Sequence, residues 1–246
     1  MTDPQNAFLR SYFEAHTPSR EPASWLFREV RAEFVRLNIK SDAGLLKAYE
    51  SFTEDGKFVA LCIFAAHRYR PAGGVLFREL QCDNAKLSGA ASGAIASIGE
   101  ERSLLRVIRA LRVETRRAAQ LNMLSALCNW RAGSGDSRIS EVLARVVMNA
   151  AEMDEARAMA AEGLANCLYR CDRRTKVFRD VVRTLMQLLD HPCASLRCCA
   201  VYALGELRVK QALSQLREVA ANDGAMCPGI GSIREEALDA IRHIDG

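Results

Sequence analysis

One residue spacing recurs along this chain, and it limits the possible folds more than any other feature. From Arg197, Ala200 lies three residues on, Leu204 seven and Leu207 ten, which places all three on one helical face. The same template runs from Arg234 (Ala237, Ile241, Ile244), Arg157 (Ala160, Leu164, Cys167) and Arg117 (Gln120, Leu124, Leu127). It runs again, without an arginine, from Ser88 (Ala91, Ile95, Ile98) and Lys57 (Ala60, Phe64, His67). The anchors at 57, 88, 117, 157, 197 and 234 stand 31, 29, 40, 40 and 37 residues apart. A large apolar residue holds the seventh place in all six copies. A small one follows it in five: Ala65, Ala96, Ser125, Ala165 and Gly205. Recurrence at this period is the mark of a stacked helical array.

Between the anchors lie further amphipathic segments, at 43–52, 73–81, 102–112, 138–151, 176–189 and 210–221. Breakers separate the two sets: Asp55-Gly56, Asp83-Asn84, Asp190-His191-Pro192 and the loop 222–231. A helix–turn–helix unit of this kind cannot bury its own apolar face, and stacking on its neighbours does so. Residues 1–40 lie outside the template. Asp3 to His16 suits a short helix, and the apolar positions 26, 27, 30, 34, 35, 37 and 39 predict a longer one that caps the open end of the stack. At the other end, Ser232 and Glu235 have the spacing of a capping box before the last helix.

Composition agrees with an all-α chain. Hydrophobic residues make up 49% and aromatic ones only 7%, with alanine, leucine and arginine dominant. Basic residues exceed acidic ones by 34 to 30, an excess too small to demand a polyanionic partner. Of those 34, 28 are arginine, the side chain that makes fixed, forked contacts. The opening residues lack the basic and apolar regions of a signal peptide. The most apolar small-residue stretch, Leu87 to Ile98, is too short to span a bilayer. Nine cysteines without a Cys-x-x-Cys pair suit a reducing cytoplasm, where buried thiols act as small hydrophobes.

The stretch HPCASLRCCAVYALGELRVKQAL, residues 191–213, resembles a HEAT repeat of the short bacterial kind also seen in phycobilin lyases. Residues 173–246 carry the resemblance most fully, 101–172 less so, and the earlier chain least. It implies a right-handed α-α superhelix of about six helical pairs, a HEAT-like solenoid with second helices lining the concave face. On this reading 1–40 is an N-terminal helical cap and 41–246 one continuous array. A fold of this kind does not by itself specify an activity.

Two sets of cations are candidate sites. The template residues Arg117, Arg157, Arg197 and Arg234 read as scaffold, bonded to turn acids such as Asp154, Asp190 and Asp223 and to carbonyls of neighbouring repeats. The cations that follow each template helix are Arg68, Arg70, Arg131, Arg170, Arg173, Arg174, Lys176, Arg208 and Lys210. In a solenoid, equivalent positions stack, so these predict a basic edge that binds a partner. Complementing the dipoles of the preceding helices is their competing role. No metal, cofactor or catalytic constellation is expected: zinc-knuckle spacings, Ser-x-x-Lys, Gly-x-Ser-x-Gly, His-Glu-x-x-His and the phosphate-loop motif are all missing from the sequence.

These features favour a non-enzymatic scaffold or adaptor that binds one protein partner with an acidic surface through the concave face and basic edge. A regulator or toxin-neutralising role belongs to the same class. Two alternatives remain. One is a nucleic-acid binder or HEAT-like DNA glycosylase, for which Trp130, Arg131 and Asp136 are the residue types to inspect. The other is a tetrapyrrole lyase or chaperone. No membrane partner is expected.

Overall fold

The computed structural model describes residues 22–130, 136–168, 173–227 and 230–246, with side chains from residue 29 onward. The stretch 3–16 lies outside the described residues. Contacts divide the chain into two compact units, Met1–Ser103 and Leu104–Gly246. The described residues hold thirteen α-helices. No helix among them is long and apolar enough to cross a membrane.

In the first unit, α1 (Pro22–Arg36) and α2 (Asp42–Ala48) pack on α3 (Glu54–Ala66). Helix α3 packs in turn on α5 (Ala85–Ile98), which also carries α4 (Gly73–Leu80). The unit boundary falls inside α6 (Glu101–Leu111). In the second unit, α7 (Arg117–Cys128), α9 (Asp154–Leu168), α11 (Ala194–Glu206) and α13 (Ile233–Asp245) pack one on the next. Their partners α8 (Ser137–Met148), α10 (Lys176–Leu188) and α12 (Leu213–Asn222) lie against α9, α11 and α13. The template helices are therefore α3, α5, α7, α9, α11 and α13. This is all-α solenoid packing within each unit.

Burial explains the template. The seventh position holds Phe64, Ile95, Leu124, Leu164 and Leu204, all at most 2% exposed; in the last helix Ile241 is half-buried, and its neighbours Ala240 and Ile244 are buried. The small eighth position sets how closely helices approach. A Cβ added to Gly205 would stand 2.7 Å from Ala240 Cβ, so α11 and α13 meet almost backbone to backbone. Helix starts follow the breakers. Ser41, Thr53, Asn84, Asp136 and Thr175 each accept a first-turn N–H.

Three local expectations need correction. Gly56 does not break the chain but lies in the first turn of α3. Glu33 of α1 accepts hydrogen bonds from Thr53 N and Oγ1, both 2.9 Å, and a Cβ at Gly56 would collide with its carboxylate at 2.3 Å. Glycine there leaves room for the clasp that ties α1 to α3. Ser232 does stand at the start of α13, but its side chain makes no capping bond, so the capping box is not formed. Finally, the loop 222–231 carries a short antiparallel pair, β1 (Met226–Cys227) with β2 (Gly231–Ser232), which packs on α11 through β1.

The template arginines act as scaffold. Arg197 grips Asp223 with Nε at 2.7 Å and Nη2 at 3.2 Å, and donates from Nη1 to the carbonyls of His191 and Pro192. Arg157, 7% exposed, donates to Val147 O. Arg234 donates to Ala221 O, and Arg117 pairs with Glu155. Each satisfies carbonyls or carboxylates of an adjoining turn or helix.

Three measurements test this frame. Leu204→Ala leaves a cavity in a fully buried site and is expected to cost about 2–5 kcal/mol. An unchanged Tm would remove Leu204 from the core. Arg68 and Arg208 hold positive φ of 50° and 49° at the ends of α3 and α11, where glycine is the ordinary residue. Arg208→Gly is therefore expected to raise stability by roughly 0.5–1 kcal/mol, read from a urea melt. The guanidinium of Arg197 holds the Asp223 carboxyl below its usual range. Its stabilisation is present above the ordinary carboxylate pKa and is lost as pH falls through the lowered value. Stability of Asp223→Asn should accordingly fall less steeply below about pH 4 than that of the parent.

Candidate functional site

The second unit holds an open groove of about 980 Å³. Arg173, Arg179, Arg183, Gln187 and Asp190 wall it from α10 and its flanks, Arg208, Lys210 and Gln211 from the segment leading into α12, and Gln215 from α12 itself. Phe178 and Met186 contribute apolar surface. Helix α10 supplies its side through ordinary amphipathicity. Phe178, Val181, Val182, Leu185 and Leu188 face the core, so Arg179, Arg183 and Gln187, four residues apart, share the exposed side.

The far wall depends on how α11 ends. Arg208 donates its N–H to Gly205 O, and Val209 reaches back to Leu204 O at 3.1 Å, a Schellman-type closure. Val209 is buried and so is Ala212, while Arg208, Lys210 and Gln211 stay exposed. The burial of Val209 thus turns its two cationic neighbours outward. The first unit repeats the device. Tyr69 donates to Phe64 O and stacks on that ring at 5.7 Å, Ala72 is buried, and Arg68 and Arg70 are exposed. Arg-Tyr-Arg-Pro-Ala and Arg-Val-Lys-Gln-Ala are one motif in two places.

Among the described residues, five cations face the groove and Asp190 is its one carboxylate. Among the described residues Arg173, Arg179, Arg208 and Lys210 make no ion pair; Arg183 reaches Asp180 at 3.1 Å. Of the nine cations expected on a basic edge, three line this groove: Arg173, Arg208 and Lys210. Lys176 pairs with Asp180 at 2.8 Å, and Arg174 is exposed but does not line the groove. Arg68 and Arg70 belong to the first unit, while Arg131 and Arg170 lie outside the described residues. Sequence reasoning missed Arg179, Arg183 and the three glutamines. The spacing of 179, 183 and 187 on one amphipathic helix was the available signal.

The surface between α11 and α13 has the opposite sign. Tyr202, Glu206, Glu236, Asp239, Arg242 and His243 line a smaller cleft there, of about 320 Å³. Burial, with Glu206 nearby, raises the Glu236 carboxyl above its usual value.

Other candidate chemistry has structural explanations. Trp130 is buried, and Asp136 caps α8 while pairing with Arg138 at 2.7 Å. Burial pushes the thiols of Cys128 and Cys198 up and that of Cys199 to about 12, which disfavours a thiolate nucleophile. Among the described residues no cluster of histidine, cysteine and acid could hold a metal ion.

No curated protein matches the chain. Residues 141–226, which run from α8 to β1 and include the groove, match the family model of HEAT repeats. With the stacked helical pairs of the second unit, this match identifies residues 141–226 as HEAT repeats.

Proposed function

We propose that this chain is a non-enzymatic interaction module whose second unit docks an acidic surface of one protein partner in the groove between α10 and α12. HEAT repeats are of the protein-interaction scaffold type. The observation that carries the finer reading is the charge of the groove: five cations against one carboxylate, four of the five unpaired among the described residues. Uncommitted arginines are costly to assemble and are suited to forked contacts with carboxylates. The acidic cleft between α11 and α13 has the wrong sign for such a partner, so the reading places the contact in the groove and not on the second-helix surface. An adaptor, regulator or neutralising protein in the cytoplasm would use a surface of this kind.

The test pairs the wild-type chain with Arg179→Glu/Arg183→Glu in pull-downs from nuclease-treated lysate. Both arginines are exposed, so helicity and Tm should hold. The expected result is a near-stoichiometric protein captured by the wild type and lost by the variant, with capture weakening as salt rises. Capture that is indifferent to the double reversal overturns the groove as the docking surface. Loss of capture on nuclease treatment alone assigns the groove to nucleic acid.

A further inference from the structure

The side-chain oxygen of Gln215, Oε1, is closed off from solvent and has no hydrogen-bond partner among the described residues. Gln215 stands on α12 and walls both the basic groove and the adjoining cleft of Asp190, His191, Arg197 and Asp223. An acceptor stripped of water and left unpaired carries its desolvation cost with no return, and such groups are rare in native interiors. Gln215 also lines the groove, and a ligand there that brings an N–H donor to this oxygen would relieve that cost. The arginines ask for an anion and Gln215 for a donor. A phosphodiester backbone supplies only acceptors, whereas a peptide with acidic side chains supplies both. Among the described residues, the aromatic ring that lines the groove, Phe178, is largely buried and offers bases no open stacking platform.

We infer that the groove binds an extended acidic peptide segment, with Arg179 and Arg183 holding its carboxylates and Gln215 accepting a main-chain N–H. This assignment rests on the groove being the docking surface proposed above. Gln215 is then a group that costs the free protein stability and repays it on binding, a trade found at functional sites.

Fluorescence anisotropy tests the assignment with three labelled probes. They are an octapeptide of alternating glutamate and alanine, the same peptide N-methylated at every alanine, and an oligothymidylate of equal charge. The unmethylated peptide should bind wild type about tenfold more tightly than its methylated counterpart, the weight of one hydrogen bond to a desolvated group. Gln215→Met should erase that difference and raise the Tm, with Gln215→Ala as a second variant should methionine disturb the packing. Equal binding of the two peptides to wild type overturns the role of Gln215 and leaves the acidic-partner reading standing. No binding of either peptide, or binding indifferent to Arg179→Glu/Arg183→Glu, overturns that reading as well. Oligothymidylate binding more tightly than both peptides replaces the peptide with a phosphate backbone.

Discussion

The second unit depends on one close contact, the approach of consecutive template helices through small residues. Gly205 meets Ala240 with no space for another methyl group, and Ala160, Ala200 and Ala237 recur as buried small residues at one register of α9, α11 and α13. Close approach lets the large residues at the seventh position interlock, and Leu164 and Leu204 reach full burial as a result. Bulk at the small positions would push the helices apart and expose that row. A stack built this way is stabilised mainly between neighbours, so each repeat needs the next.

Fixing the helices in one register also fixes where charge can go. The template arginines lie at helix starts, within reach of neighbouring turns, and Arg197 shows the result: a carboxylate and two carbonyls satisfied by one guanidinium. That charge is consumed inside the scaffold. On the outer side of α10 and beyond the end of α11, Arg179, Arg208 and Lys210 make no ion pair among the described residues. The same register leaves an acidic cleft between α11 and α13, so the unit presents opposite signs on two surfaces.

The helices were legible in the sequence because burial imposes their period. All six template anchors fall at or near the start of an observed helix, and the intervening segments begin and end within four residues of observed ones. Gly56 was misread because its cause is a side chain twenty-three residues away. Glu33 excludes a Cβ there, and no local pattern shows that. The β1–β2 pair has two residues on each strand, too few to show alternation. The groove was half legible. Arg208 and Lys210 stood out as cations after a helix, but Arg179 and Arg183 sit within a helix on its polar face, and only the packing of α10 beside the α11–α12 turn brings them together.

That placement bears on whether these cations need a ligand at all. Cations at helix C-termini complement the macrodipole unaided, and this accounts for Arg208 just past the end of α11. It does not account for Arg179 or Arg183, since the dipole's effect fades beyond the terminal turn and both sit inside α10. Arg173 is worse placed, two residues ahead of the Thr175 cap, where the dipole of α10 presents its positive end. Intramolecular pairing accounts for Arg183 through Asp180, a carboxylate that also serves Lys176. Arg208 adds a backbone cost, because its positive φ is one that glycine would adopt without strain. Helix dipoles and internal pairing thus explain two of the five cations and leave Arg173, Arg179 and Lys210 without a structural task among the described residues. The anionic partner proposed above would give all five the same one.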